Sequence, residues 1–279
     1  MVKKWLSIAG ILVVIGGVGA VIALRNTAAG ETEAIERSVD ESFSKVNIKS
    51  NNAKLEVKPT EEETASIELA DVNPNEYQLK HEVKNGQLQI EVKQKGFKLI
   101  NFNTKTMKLT VHLPKQSYDA LTVRGENGAI GIDQLDIKHI DVKSDNGAAT
   151  LSQLTADDIH VKSDNGKIQL TEIEADKVST LSDNGLHVLE QVNDAELKSK
   201  ADNGKIILKT SNINRPIHLE TDNGAIEIET DEKPNNVTFD IKMDNGKAKI
   251  FGSSDWDTIV GKGENLVKLV TDNGNITVK

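Results

Sequence analysis

The chain has 279 residues, a formal net charge of −9, 3% aromatic residues and no cysteine. The missing thiols exclude disulfide bonds and thiolate chemistry, and the acidic balance argues against nucleic acid as an electrostatically recruited partner. The length suffices for one well-packed domain, whose stability has to come from buried aliphatic side chains.

Residues 1–4 form a short tail with Lys3 and Lys4, followed by an apolar stretch at 5–24 that only Ser7 interrupts. Its 20 residues match the length of a helix that crosses a bilayer. A cleaved secretory signal is the competing reading, since Val21-Ile-Ala23 and Thr27-Ala-Ala29 resemble small-residue cleavage sites. The stretch exceeds the usual apolar core of a signal peptide, and without cysteine no lipoprotein acylation can occur, so a retained signal anchor is expected. Lys3 and Lys4 outweigh Arg25 and place the amino terminus in the cytoplasm and the rest of the chain outside. Residues 25–44 are expected to be an acidic linker, with Glu31, Glu33, Glu36, Asp40 and Glu41 and room for a short helix around Ala34, Ile35, Val39 and Phe43.

From residue 45 onward the apolar residues alternate with polar ones, the period of a strand with one buried face. Residues 45–120 lack a fixed repeat and are expected to be opening coils and a cap. Residues 121–279 are periodic: Asp-Asn-Gly recurs at 145, 164, 183, 202, 222, 244 and 272, led by Glu126-Asn127-Gly128. The glycines Gly128, Gly147, Gly166, Gly185, Gly204, Gly224, Gly246 and Gly274 are separated by 19, 19, 19, 19, 20, 22 and 28 residues. Aliphatic residues fall in columns seven and five before most of these glycines and two and four after most of them, as in Ile159, Val161, Ile168 and Leu170. A further column, Leu135, Leu154, Ile173 and Val192, follows on a softer corner. His187 stands where an isoleucine is expected.

This pattern predicts an all-β fold, a β-solenoid resembling a β-helix with repeats of about 19 residues, preceded by one transmembrane helix. Asn-Gly also favours two-residue hairpins, so an antiparallel meander competes; the second connection in each repeat is longer and carries its own apolar residue, which favours the coil. Asn127, Asn146, Asn165, Asn184, Asn203, Asn223, Asn245 and Asn273 with their glycines are read as structural turns, with the glycine at positive φ. The 28-residue step leaves a surplus loop at 252–264 containing Trp256, either a capping loop or a contact for a partner.

No catalytic or cofactor-binding residues are expected. The histidines do not recur beside Ser144, Ser163 and Ser182, and no metal-ligand spacing of histidines occurs. The column Asp145, Asp164, Asp183, Asp202, Asp222, Asp244 and Asp272 is read as turn residues that bond their own backbone, with calcium binding as the alternative. Lys143, Lys162, Lys200 and Lys242 share one position and could form a basic strip, although a solvated face is the plainer reading. Glycan cleavage by an acid pair would need unlike environments and an aromatic groove.

The run Leu109-Thr-Val-His-Leu-Pro-Lys-Gln-Ser-Tyr-Asp-Ala-Leu-Thr-Val-Arg-Gly-Glu-Asn-Gly-Ala-Ile-Gly-Ile132, followed by iterated Ser-Asp-Asn-Gly, resembles the bacterial putative-adhesin family of β-strand repeat domains. Its LiaG-like, membrane-anchored members have the same order of tail, helix and exported repeat domain. The resemblance implies a cell-envelope location, and some members accompany envelope-stress signalling systems; it supplies no catalytic residue. The expected protein is therefore a single-pass membrane protein with an extracytoplasmic repeat domain that acts as a non-enzymatic binding, adhesin-like or structural module. Its expected partners are the membrane through residues 5–24 and an envelope protein or wall component. The alternatives are an accessory of an envelope-stress sensing system and a glycan-active enzyme.

Overall fold

The computed structural model describes residues 33–95, 106–193 and 196–279. The apolar stretch at 5–24 and residues 25–32 lie outside the described residues. Twenty-two strands join in one continuous hydrogen-bonded system. The first seven are β1 (Glu33–Val39), β2 (Lys45–Ser50), β3 (Lys54–Thr60), β4 (Ala65–Val72), β5 (Tyr77–Lys84), β6 (Gln87–Gln94) and β7 (Lys108–Pro114). The repeats supply β8 (Ser117–Gly125), β9 (Ile130–Asp133), β10 (Asp136–Ser144), β11 (Ala149–Ser163), β12 (Ile168–Asn184), β13 (His187–Asn193), β14 (Glu196–Asn203) and β15 (Ile206–Thr210). The remainder are β16 (Ile217–Asn223), β17 (Ile226–Thr230), β18 (Val237–Asn245), β19 (Ala248–Ile250), β20 (Ile259–Val260), β21 (Asn265–Asn273) and β22 (Ile276–Val278).

Pairing follows the repeat. Ile140 lies beside Ile159, Ile159 beside Val178, Val178 beside Leu197 and Leu197 beside Ile217, all in parallel strands. The parallel register excludes a hairpin meander through the repeats and makes the domain solenoid-like. Each inward aliphatic stacks on its equivalent in the neighbouring coil, and full burial of each is worth roughly 2 kcal/mol of transfer free energy. The columns expected from sequence are buried, including Leu135, Leu154, Ile173 and Val192 at the third corner, except that Ile241 is half-buried.

The coils do not stack in chain order at either end. Strands β21 and β22 insert between β16–β17 and β18–β19, so the last coil in sequence is the second to last in space. At the other end β2 and β3 lie between β6–β7 and β8–β9. The loop at 252–264 gives the chain the reach to pass around β18–β19 and return inside it. Antiparallel strands then close the stack: β5 on β6, β4 on β7, β1 on β4, and β20 on β18. Such caps cover rows of backbone donors and acceptors that would otherwise be open edges. Residues 33–39, expected to belong to a linker with helical tendency, form β1, because Val39 and Ile35 face the core beside Ala65 and Leu69. Tyr118, buried at the start of β8, donates its hydroxyl to the Pro114 carbonyl at 2.9 Å and stacks on Phe43.

Two corner expectations are corrected. Among the eight corner glycines only Gly246, with φ 146°, has a positive φ. Glycine is required by proximity instead: a Cβ on Gly147 would stand 2.0 Å from the Gly128 carbonyl oxygen, and one on Gly204 would stand 1.8 Å from that of Gly185. The left-handed backbone sits at the softer corner, in Gln134, Gln153, Glu172 and Gln191, with φ of 53–55°. This single-residue kink lets β11 and β12 run through two sides of the coil. The corner aspartates, for their part, make no side-chain bond to their own turns among the described residues. Ser144 and Ser163, three before the glycine, accept the Gly147 and Gly166 amides, each at 2.9 Å.

Candidate binding surfaces

The asparagines bring the corners together. Each side-chain amide donates to the carbonyl oxygen of the next, from Asn127 on Asn52 through Asn146, Asn165, Asn184, Asn203, Asn223 and Asn273 to Asn245, at 2.8–3.1 Å. The ladder runs from the β2–β3 coil to the β18–β19 coil and follows the spatial order of coils, with Asn273 between Asn223 and Asn245. It engages one donor of each side-chain amide with its neighbour's carbonyl oxygen. A second, shorter ladder runs along the softer corner, where Gln134 donates to Gln153 at 2.7 Å and Gln153 to Glu172 at 2.8 Å.

Many of the surface charges are likewise paired with one another. Lys143, Lys162, Lys200 and Lys242 do not form an unopposed basic strip: they meet Asp145 at 3.2 Å, Asp164 at 3.1 Å, Glu220 at 2.6 Å and Asp240 at 3.9 Å. On another face Glu190, Lys209, Glu229 and Lys279 surround a polar concavity of about 560 Å³, with Lys209 2.8 Å from Glu190 and Lys279 2.7 Å from Glu229. Glu56 lies between Lys54 and Lys108, and the hydrogen bond from Lys108 holds its carboxyl below the usual range. The Lys205 and Lys279 ammoniums do the same for Glu227. Among the described residues no group of three or more His, Cys, Asp or Glu side chains is arranged to hold a metal ion.

Two serines do meet a histidine, which sequence reading missed. Ser182 Oγ lies 2.8 Å from His187 Nε2, while Nδ1 lies 2.7 Å from Ser199 Oγ and 3.1 Å from Thr180 Oγ1. His187 was legible as an irregularity in an aliphatic column, but its partners become visible only when the corner folds the two inward faces together. All four residues are sealed inside the coil, and burial pushes the imidazole pKa down to about 4. The cluster is a neutral polar plug that satisfies its own hydrogen bonds, with no route for a substrate.

Exposed apolar surface collects at the end built by β18, β20 and β21. Ile259 and Leu266, 59% and 47% exposed, lie on either side of Thr238 in adjacent strands. Trp256, in the loop that leads into β20, is partly buried against the core together with Phe251 and Val260. At the opposite end, a concavity of about 670 Å³ is lined by polar and charged side chains including Arg37, Lys49, Lys80 and Glu91.

A stack of parallel coils closed by antiparallel caps, with one apolar tip, defines a repeat-built, solenoid-like all-β domain. The chain belongs to the Toastrack DUF4097 family, whose profile matches residues 43–279. No curated protein sequence matches it. Among solved structures it is similar to a Bacteroides fragilis NCTC 9343 protein described as a putative adhesin, at 15% identity and a TM-score of 0.56, over 90% of this chain and 99% of that one. A putative adhesin from Parabacteroides distasonis ATCC 8503 matches at 14% identity and a TM-score of 0.51, over 90% of this chain and 98% of that one. At these identities the likeness concerns the fold.

Proposed function

We propose that this chain is a membrane-anchored, extracytoplasmic spacer of the bacterial cell envelope that binds a partner through its β18–β20–β21 tip and performs no catalysis. The observation that carries the reading is the placement of Ile259 and Leu266. Two of the three large hydrophobic side chains exposed among the described residues flank one threonine at one end of the stack. Paired apolar side chains rimmed by polar ones are what a contact site presents. The chain enters the stack at β1, the other end, so an anchor at 5–24 would place the tip away from the membrane. Where flank lysines are matched to carboxylates, as Lys143, Lys162 and Lys200 are, they have little electrostatic reason to recruit a charged polymer. The adhesin description of the neighbouring structures and the extended, solvent-facing repeats both fit a binding module.

Protease shaving of wall-stripped cells should remove the domain and leave an anchored stub. Crosslinking on such cells should recover a species that the double variant Ile259→Lys, Leu266→Lys loses while its melting temperature is unchanged. A domain protected from protease would refute the orientation, and a crosslinked species unaffected by the double variant would refute the tip. Should the captured species be a sensor kinase or transporter, the module would serve an envelope-stress system rather than attachment.

A further inference from the structure

Nine Asn-Gly pairs occur in the chain. This dipeptide is the one in which the backbone nitrogen that follows an asparagine is least obstructed, so the nitrogen can attack the side-chain amide. Eight of the nine lie in the corner ladder. There each asparagine side chain is bonded to its neighbour's, as in Asn165 on Asn146 at 3.0 Å. The glycine nitrogens of six corners are also engaged: Gly147 and Gly166 by serine oxygens, and Gly185, Gly204, Gly224 and Gly274 by carbonyls of adjacent coils. A glycine pressed against the next coil cannot swing its nitrogen toward the side chain.

Asn85-Gly86 differs on every count. It is the tip of the β5–β6 hairpin, with φ of 53° and 72°, a two-residue turn of the kind Asn-Gly favours. Both residues are exposed, and nothing lies within 4 Å of where a Gly86 Cβ would be. Asn85 takes no part in the ladder, and the Gly86 nitrogen has no hydrogen-bond partner among the described residues.

We propose that Asn85 is a site of spontaneous deamidation and that the corner ladder protects the other eight asparagines from the same reaction. The Gly86 nitrogen bonds to Asn85 Cγ and the Cγ–Nδ2 bond breaks. The proton lost from the Gly86 amide leaves with the side-chain nitrogen as ammonia, and a five-membered succinimide remains. Solvent water then adds to one of the two ring carbonyls and gives either aspartate or isoaspartate, with no change of oxidation state. Both products add a negative charge, and the second lengthens the backbone by one carbon. The effect falls on the cap: the Gly86 carbonyl accepts the Ser44 and Lys45 amides at 3.0 and 3.2 Å and so fixes the start of β2.

The test holds the full-length chain at mildly alkaline pH, folded in one sample and unfolded in urea in the other. The nine asparagines that precede glycine are followed by peptide mass spectrometry and isoaspartate labelling. In urea all nine should convert at comparable rates. In the folded chain Asn85 should convert first, with the corner asparagines still amides, and Asn85→Gln should abolish the isoaspartate signal of the folded sample. A corner asparagine that converts as fast as Asn85 in the folded chain would overturn the proposal. So would an intact Asn85 in folded protein after the unfolded sample has reacted.

Discussion

Gly166 lies so close to Gly147 of the preceding coil that a Cβ on Gly166 would stand 2.1 Å from the Gly147 carbonyl oxygen. The contact, rather than any special φ, fixes glycine at the corner. Gly166→Ala should therefore destabilise the domain by about 2 kcal/mol or more, the range of overpacking that only a backbone shift can relieve. Gly86→Ala, in open space at φ 72°, should cost only about 1 kcal/mol, the strain of an L-residue in the left-handed region. Urea midpoints of the two variants distinguish the causes, and equal losses would contradict the contact argument.

At the softer corner the strain is real. Gln153 has φ 53°, a region that β-branched residues avoid. Gln153→Val should lose about 2 kcal/mol from backbone strain and the broken glutamine ladder together. Gln153→Asn, whose side chain tolerates this backbone, should stay within about 1 kcal/mol of the parent. A harmless valine would mean that the kink is elsewhere.

The sealed imidazole gives a pH signature. His187 stays neutral in the folded chain until about pH 4, whereas the unfolded chain takes up the proton near the ordinary value of 6.5. Between these values the unfolded state binds more protons, so stability is full above the ordinary value and falls as pH drops toward 4. The loss reaches about 3 kcal/mol if the whole shift is expressed. Denaturant titrations at pH 7 and 5 should show a slope that His187→Gln reduces. An unchanged slope would put the protonation elsewhere.

The aspartate column tests cation dependence. Asp164→Asn, Asp183→Asn and Asp202→Asn combined should leave stability within about 1 kcal/mol of the parent, the scale of repulsion between neighbouring charges in water. Millimolar calcium should shift the melting temperature of neither protein. A calcium-dependent rise of several degrees in the parent, absent from the triple variant, would make the column a metal site.

The interleaved C-terminal coil can be trapped directly, because the chain has no native cysteine. Cysteines replacing Asn223 and Asn273, adjacent in the ladder, should crosslink on mild oxidation. Cysteines replacing Asn223 and Asn245 should not, since Asn273 lies between them. The reverse pattern would mean that the coils stack in chain order.

The aliphatic columns were legible because each position recurs at a fixed offset from an Asn-Gly, so Ile140, Ile159 and Val178 declare themselves as one stack. Coil order was not legible: the extra residues before Asn265 show that the chain detours but not which side of β18 it returns to. Asn-Gly at 85 and at 165 reads alike, yet the first is a hairpin with positive φ and the second a corner packed on its neighbour. Only the contact with Gly147 separates them. Gln134 and Gln153 carry no sequence mark of the left-handed conformation they adopt. Ser144 and Ser163 were visible in the motif, but their acceptance of the glycine amide depends on the corner's curvature. The tip was half legible. Trp256 marked the loop, whereas Ile259 and Leu266 flank Thr238 only because β20 runs antiparallel to β18 while β21 runs parallel to it.

A single cysteine in place of Ile259, carrying a photoactivatable maleimide, tests the account most directly in intact cells. Labelling by a membrane-impermeant reagent, followed on illumination by one discrete crosslinked species that a cysteine in place of Ser152 on the flank does not give, is the predicted result. No labelling at position 259, or equal crosslinking from the flank and the tip, would contradict a membrane-anchored rod that makes contact through its end.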